Sequence, residues 1–389
     1  MAHVLIGWEL GANRGHAVRL QMLGVALRNA GHQVSFAVQR IDALSEAEAG
    51  GSPVWQAPLT PRLLITGSRF GGTATTGLAD ILARLGFDDR GIVAAMIDGW
   101  HRLIAAIQPD VVIGEYAPFL LLAARGRMPS IAIGTAFSQP PATMDRFPQL
   151  VEGPGAIDQA ALLTTINGAL ASVATPPLDA LPRLFAADRM LPDSFAELDP
   201  YAADRAEKLV SPVRADFAAR AGSGEEVFVY APERIAVDAP LWRGLKASGL
   251  PIRVHPQRAP AVLLEALAGH GFAVEAEPID FAIIAERSHM VVSHGGQGFA
   301  CAAIAAGLPH VVCHHDLEKL LNGLAVAREG LGGHVSLPNI DPNRFGADLQ
   351  GLYRDAALAE RCRAKAEIVR RRDQPDLAGC VIDAVAALA

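Results

Sequence analysis

The stretch VVSHGGQGFACAAIAAGLP, Val291 to Pro309, decides the fold. A short apolar run ends in His294, Gly295 and Gly296, and a small-residue helical pattern follows at once. A buried strand that turns on glycines into a helix is the unit of a parallel α/β sheet. Such a turn leaves the first helical N–H groups without intrahelical partners, pointing away from the strand end. A helix N-terminus carries roughly half a unit of positive charge, so an anion, and a diphosphate above all, suits that position. His294 adds a side-chain N–H donor there. The plainer alternative is a tight strand-to-helix turn whose histidine only satisfies a backbone carbonyl.

Outward from this stretch, strands alternate with helices across the second half. The order is VFVYAP, a helix near 240–248, PIRVHP, a helix near 260–269, FAVEAEP, a helix near 280–287, MVVS, the helix after the glycines, then HVVCH. The first half repeats the alternation. HVLIGW at 3–8 precedes Val18, Met22, Leu23, Ala26, Leu27 and Ala30 at helical spacing, then QVSFAV and buried strands around 111–114 and 130–134. Segments 64–77 and 137–155, rich in Gly, Pro, Thr and Ser, suit a binding rim. AELDPYAADRAEKL, from about 196, reads as helical, and Gly222, Ser223 and Gly224 read as a linker. The expected division is a first domain at 1–207, a linker at 208–225, a second domain at 226–365, and a C-terminal helical segment at 366–389 that packs back on the first domain. Two such units place a cleft at the C-terminal strand edges, where open α/β sheets bind ligands.

Bulk properties agree. A chain of 389 residues exceeds the usual size of a single core. With 51% hydrophobic and 19% charged residues it is globular in composition. A formal charge of -7 offers no footprint for a nucleic-acid backbone, and the run Arg370 to Arg372 reads as a solvated helix face. Phosphate on a small molecule is not excluded, because a glycine turn binds it through backbone N–H groups. Cys301, Cys313, Cys362 and Cys380 lack CxxC spacing and read as reduced structural thiols, which points to the cytoplasm. MAHVLIGWEL has no basic leader region and no apolar stretch reaches about 18 residues, so neither a signal peptide nor a membrane span is expected. His314, His315 and Asp316 are adjacent in an extended segment and point to opposite faces, so no metal site is expected.

The run from His294 through Gly307-Leu308-Pro309, the strand HVVCH and then DLEKLLNGLAVAREGLG resembles the donor-binding signature of GT-B glycosyltransferases of the UDP-glycosyltransferase superfamily, which has bacterial antibiotic-type and plant-type members. That signature runs His-Gly-Gly, helix, Gly-x-Pro, strand, an acid with glutamine, and an asparagine. In step with it, Glu318 falls on the acid, Lys319 on the glutamine and Asn322 on the asparagine. Ala302 stands where many members carry a ribose-binding glutamate, and Lys319 replaces the amide that usually grips sugar hydroxyls. Gly11 to Val34 resembles the family's first loop and helix, with Gly15-His16 at the loop end and Gly31-His32 after the helix. In PDVVIGEY, Glu115 stands where plant members place an aspartate.

The resemblance implies an α/β GT-B fold, two Rossmann-like α/β/α domains facing across a cleft, the first for the acceptor and the second for the nucleotide sugar. It implies inverting, metal-independent transfer of a sugar from UDP or TDP to a small or hydrophobic acceptor. In it His16 is the base and Glu115 orients the ring. His294 with Gly295, Gly296, Gln297 and Gly298 holds the donor diphosphate, and Arg14 reaches it from the first domain. Asp316, Glu318 and Lys319, with His315 beside them, meet the sugar. Pro278 and Ile279 lie in the nucleobase loop, and Asn322 belongs to the donor motif. No cofactor is expected beyond the nucleotide-sugar co-substrate, and no nucleic-acid partner. The chain is expected to be a monomer or homodimer. Alternatives remain open: a catalytically silent nucleotide-sugar binder, favoured by Ala302 and Lys319, or a nucleotide-sugar epimerase of the same fold, which needs more carboxylates than the motifs show. Glu115 has a structural alternative too, as a partner of Arg14 or Arg125.

Overall fold

Runs of five or six Val- and Ile-rich residues flanked by helical segments form strands covered on both faces, as parallel sheets require. The computed structural model describes residues 1–11, 14–45, 47–62, 75–153, 157–212, 224–232 and 235–389, with the side chain of Arg14 outside this set. The first sheet contains β1 (His3–Trp8), β2 (Gln33–Val38), β3 (Val54–Gln56), β4 (Val111–Glu115), β5 (Ser130–Thr135) and β6 (Arg189–Asp193), in the order β3-β2-β1-β4-β5-β6. The second contains β7 (Glu226–Ala231), β8 (Ile252–Pro256), β9 (Ala273–Val274), β10 (Ser288–Ser293), β11 (His310–His314) and β12 (Gly332–Ser336), in the order β12-β11-β10-β7-β8-β9. All pairings between these strands are parallel. Each sheet starts in its middle, winds outward one way, crosses back and winds the other way. The strand order therefore reverses beside β1 and β4 in one sheet and beside β7 and β10 in the other, which opens a crevice at their C-terminal ends.

The chain divides into two compact units, 1–193 with 199–211 and 375–389, and 194–198 with 212–374. Packing explains the two crossings in sequence. Phe195 and Leu198 are buried with Ala300, Ile304 and Val326 of the second unit. In the helix Leu377–Leu388, Leu377, Val381, Ala384 and Val385 join the core under β1, β2 and β4. The helix Ala356–Arg370, by contrast, belongs to the second unit. Of the expected linker, residues 213–223 lie outside the described set, as do 64–74 of the first glycine-rich loop and 154–156 of the second. No helix among the described residues is long and apolar enough to cross a membrane.

Three local readings are corrected. AELDPYAADRAEKL is not a helix: a short 3-10 turn at Ala196–Leu198 ends before Pro200. Asp199 instead accepts from the Tyr201 amide and pairs with Arg205, a local bond that competes with helix formation. FAVEAEP contributes only the two residues of β9. In the helix Arg14–Asn29 the buried stripe is Ala17, Leu20, Leu23 and Leu27, while Val18 is 45% exposed and Met22 37%. The apolar residues of this helix occupy more than one face, so spacing alone selects two stripes, and only packing against the sheet picks one.

Leu20→Ala is accordingly expected to cost about 2–5 kcal/mol, the range for truncating a buried leucine. Val18→Ala is expected to stay within about 0.5 kcal/mol. Urea denaturation followed by circular dichroism separates them, and equal losses would return Val18 to the core.

Candidate active site

In the first unit, β1 and β4 run side by side with Trp8 opposite Glu115 at their C-terminal ends. The chain leaves β1 through Gly11, at φ +85, and enters the helix Arg14–Asn29, whose third residue is His16. A Cβ at Gly11 would overlap His16 Nε2, so glycine is needed there both for the left-handed turn and for the close approach. Trp8 stacks on the His16 ring at 5.2 Å and 20°. His16 Nδ1 lies 2.7 Å from Glu115 Oε2. A carboxylate in that position accepts the Nδ1 proton and leaves Nε2 as the basic nitrogen. Just beyond Glu115, Tyr116 holds φ 45, a costly conformation for a bulky residue, where the chain turns out of the sheet.

Glu115 is fully buried, and its second oxygen is claimed by a residue absent from the sequence reading. Arg19 Nη1 donates to Glu115 Oε1 at 2.5 Å, while Arg19 Nε and Nη2 donate to Asp193 Oδ2 and Oδ1 at 2.9 and 3.1 Å. Burial alone would raise the Glu115 carboxyl, but His16 and Arg19 more than offset it and hold it below the usual range. Asp193, by contrast, is raised by burial despite Arg19. Of the two expected rivals, Arg125 is engaged elsewhere. Arg125 donates to the Pro177 carbonyl, and the Arg14 side chain lies outside the described residues. Arg19 sits three residues after His16 on the same helix face, a spacing legible in sequence. Asp193 is 174 residues from Arg19, and nothing local marks it.

In the second unit, the opening stretch forms the expected turn. β10 ends at Ser293, Gly295 takes φ +89, and the helix Gln297–Ala306 starts after Gly296. A side chain at Gly295 would meet Val312 of β11. The turn is held from both sides: Asn322 Nδ2 donates to the Gly295 carbonyl at 2.8 Å, and Ser293 Oγ accepts from the Gly295 amide at 3.0 Å. Ser293 Oγ in turn lies 2.8 Å from Nε2 of buried His310. Asn322 thus has a role in this chain, fixing the turn, that the motif only marked. His294 is 3% exposed, and its Nδ1 has no hydrogen-bond partner among the described residues. Gln297 is buried and Gly298 is exposed with open space where a Cβ would stand.

Asp316, Glu318 and Lys319 come together. Asp316 caps the helix Leu317–Arg328, accepting from the Lys319 amide at 3.0 Å. Lys319 Nζ bonds Glu318 Oε2 at 2.6 Å and lies 3.7 Å from Asp316 Oδ2. Burial disfavours that ammonium, but the two carboxylates hold it protonated above its ordinary value. The His315 ring lies 6.1 Å from His294, whereas His314 turns toward His334 of β12 at 5.3 Å. Tyr230, at the end of β7, gathers an aromatic group around it. Its ring lies 5.2 Å from Phe299, 5.3 Å from His294 and 5.8 Å from His255. Pro278 is exposed, and Ile279 packs on the same apolar cluster with Phe281 and Phe299. Ala302 is buried within its helix.

Burial pushes both His294 and His310 from the ordinary 6.5 down to about 3. Unfolded, each takes a proton near 6.5; folded, each resists until about 3. The unfolded chain therefore binds more protons between those values, so stability is full above about 6.5 and is lost as the pH falls toward 3. His310→Gln should flatten this acid loss, measured as the urea midpoint against pH. An unchanged slope would place the acid sensitivity elsewhere.

No family model matches the sequence. The elloramycin glycosyltransferase ElmGT of Streptomyces olivaceus is 34% identical over 85 residues, 22% of this chain and 21% of that protein, so the match spans about a fifth of the relative. Among solved structures, the glycotransferase of kitacinnamycin aligns over 100% of this chain and 99% of its own, with a TM-score of 0.68 at 18% identity. Glycosyltransferase VinC in complex with DTDP aligns over 99% of both chains, with a TM-score of 0.66 at 15% identity. The twice-wound pair of parallel sheets is thus the architecture of the GT-B glycosyltransferases, and this chain has that fold.

Proposed function

We propose that the protein is an inverting, metal-independent glycosyltransferase that moves a sugar from a nucleotide diphosphate, UDP or TDP, to a small or hydrophobic acceptor. The observation that carries this reading is the His16–Glu115 couple at the β1/β4 crevice, 2.7 Å between Nδ1 and Oε2. Transfer needs a base for the acceptor proton and stabilisation of charge on the departing diphosphate. His16 supplies the first, with Glu115 stabilising the imidazolium it becomes.

The second unit supplies the stabilisation. The N-terminus of Gln297–Ala306, the backbone of Gly296 to Gly298, and the His294 ring, whose Nε2 faces Gly296, form one anion-binding corner. Lys319 adds a positive charge close enough to depress His294. The apolar group of Ile279, Phe281 and Phe299 beside that corner fits a nucleoside, with the backbone of Pro278 and Ile279 reading the base. Asp316, Glu318 and Lys319 border it as sugar contacts, and the DTDP bound by VinC favours a thymidine donor. Inversion follows from a single displacement with one base and no second nucleophile assigned.

Excess UDP or TDP at 100 times its dissociation constant should stabilise the protein by roughly 2.7 kcal/mol, read as a thermal shift. Gly296→Val, whose side chain would press on His294 Nε2, should abolish that shift with the fold retained. A parental shift in this variant would move the diphosphate elsewhere. For the base, His16→Ala should lower transfer from UDP- or TDP-sugars by roughly 10²- to 10⁴-fold with nucleotide binding intact. Transfer at the parental rate to an unactivated hydroxyl would remove His16 from the mechanism.

A further inference from the structure

We infer that Arg19, gripped by Asp193, is the positioning residue that fixes the Glu115 carboxylate for His16. The inference rests on the reading of His16 as base and extends it to two residues to which the resemblance gave no role. Arg19 and His16 project from one face of the helix Arg14–Asn29 toward the end of β4. The guanidinium divides its donors. Nε and Nη2 form a fork on Asp193, and Nη1 reaches Glu115 Oε1. Glu115 Oε2 is left for His16 Nδ1. Each Glu115 oxygen therefore has one assigned donor, and the carboxylate cannot turn without breaking a bond to a charged or basic partner. A planar fork anchored at its far side does this, whereas an ammonium has no fixed donor directions.

Charge counting points the same way. With His16 neutral, Arg19, Glu115 and Asp193 sum to one negative charge in a buried place. When His16 accepts a proton the four groups sum to zero, so the cluster is balanced only after the base has acted. The groups facing Glu115 are His16 and Arg19 from the helix, with Asp193 beyond Arg19 on β6. Without Arg19, burial is opposed by His16 alone, and Glu115 is driven toward its protonated form at higher pH. A protonated Glu115 no longer stabilises the imidazolium.

The test uses the full chain with Arg19→Met, Arg19→Lys and the double variant Arg19→Met with Asp193→Leu. The double variant removes both charges of the pair, a replacement that buried sites often tolerate, so it guards against failure of Arg19→Met to fold. Release of nucleotide diphosphate from UDP- or TDP-glucose is followed against pH. In Arg19→Met and the double variant kcat should fall about 10- to 100-fold, the size seen when a carboxylate partner of a metal-bound histidine is lost. The donor KM should stay within about twofold, and the acid limb of the profile should move to higher pH. Arg19→Lys should recover part of the rate. A folded double variant with its acid limb at the parental pH overturns the inference.

A second measurement needs no turnover. In nitrogen-15 histidine spectra, the His16 signal, identified by its loss in His16→Ala, should show the Nδ1–H tautomer in the parent and a mixture in the double variant. A parental tautomer in the double variant also overturns the inference. The two readings fail separately. Full activity of His16→Ala sinks the base, whereas an inactive His16→Ala beside an unmoved limb and tautomer sinks only the role of Arg19.

Discussion

A parallel sheet that starts in its middle must send its connections to opposite faces on either side of the first strand, and everything chemical in this chain depends on that constraint. At β1/β4 and again at β7/β10 the helices diverge, and the strand ends stand open between them. His16 and Glu115 sit at the first reversal, and His294, Gly295 and Tyr230 at the second. Backbone geometry thus sets the place for polar side chains that the packed interiors of both sheets would not tolerate.

Charge is handled differently at the two places. In the first unit a partly buried guanidinium serves two buried carboxylates, and an imidazole completes the group. In the second, His294 and His310 are kept neutral by burial, while Lys319 stays charged because Glu318 and Asp316 hold it. Lysine at 319 is therefore not an isolated feature. An amide at 319 would leave Glu318 without its buried counter-charge. The same ion pair joins two of the residues proposed above as sugar contacts.

Much of this was legible in the chain itself. Alternating apolar strands and helices, with glycines at their junctions, determined the fold class and nine of the twelve strands described, because a parallel sheet buried on both faces demands unbroken apolar runs; β3, β6 and β12, at or next to the sheet edges and poorer in apolar residues, were not marked by it. The family resemblance carried by the run from His294 to Asn322, and by Gly15-His16 and Glu115, singled out residues that the structure brings together within each unit. What spacing did not determine was which helix face is buried: Val18 and Met22 repeat as regularly as Leu20 and Leu23, and only the sheet beneath selects one stripe. Nor did it determine the partner of Glu115. Arg125 is near in sequence and Arg19 is not, yet Arg19 bonds Glu115 because two strands and a helix converge there. Asp193 enters from β6, and Tyr230 gathers Phe299, His294 and His255 from three different elements. Local sequence carries periodicity and turn chemistry, which act over a few residues. Buried charge pairs and aromatic clusters are contacts across the whole unit, and only the tertiary structure decides who meets whom.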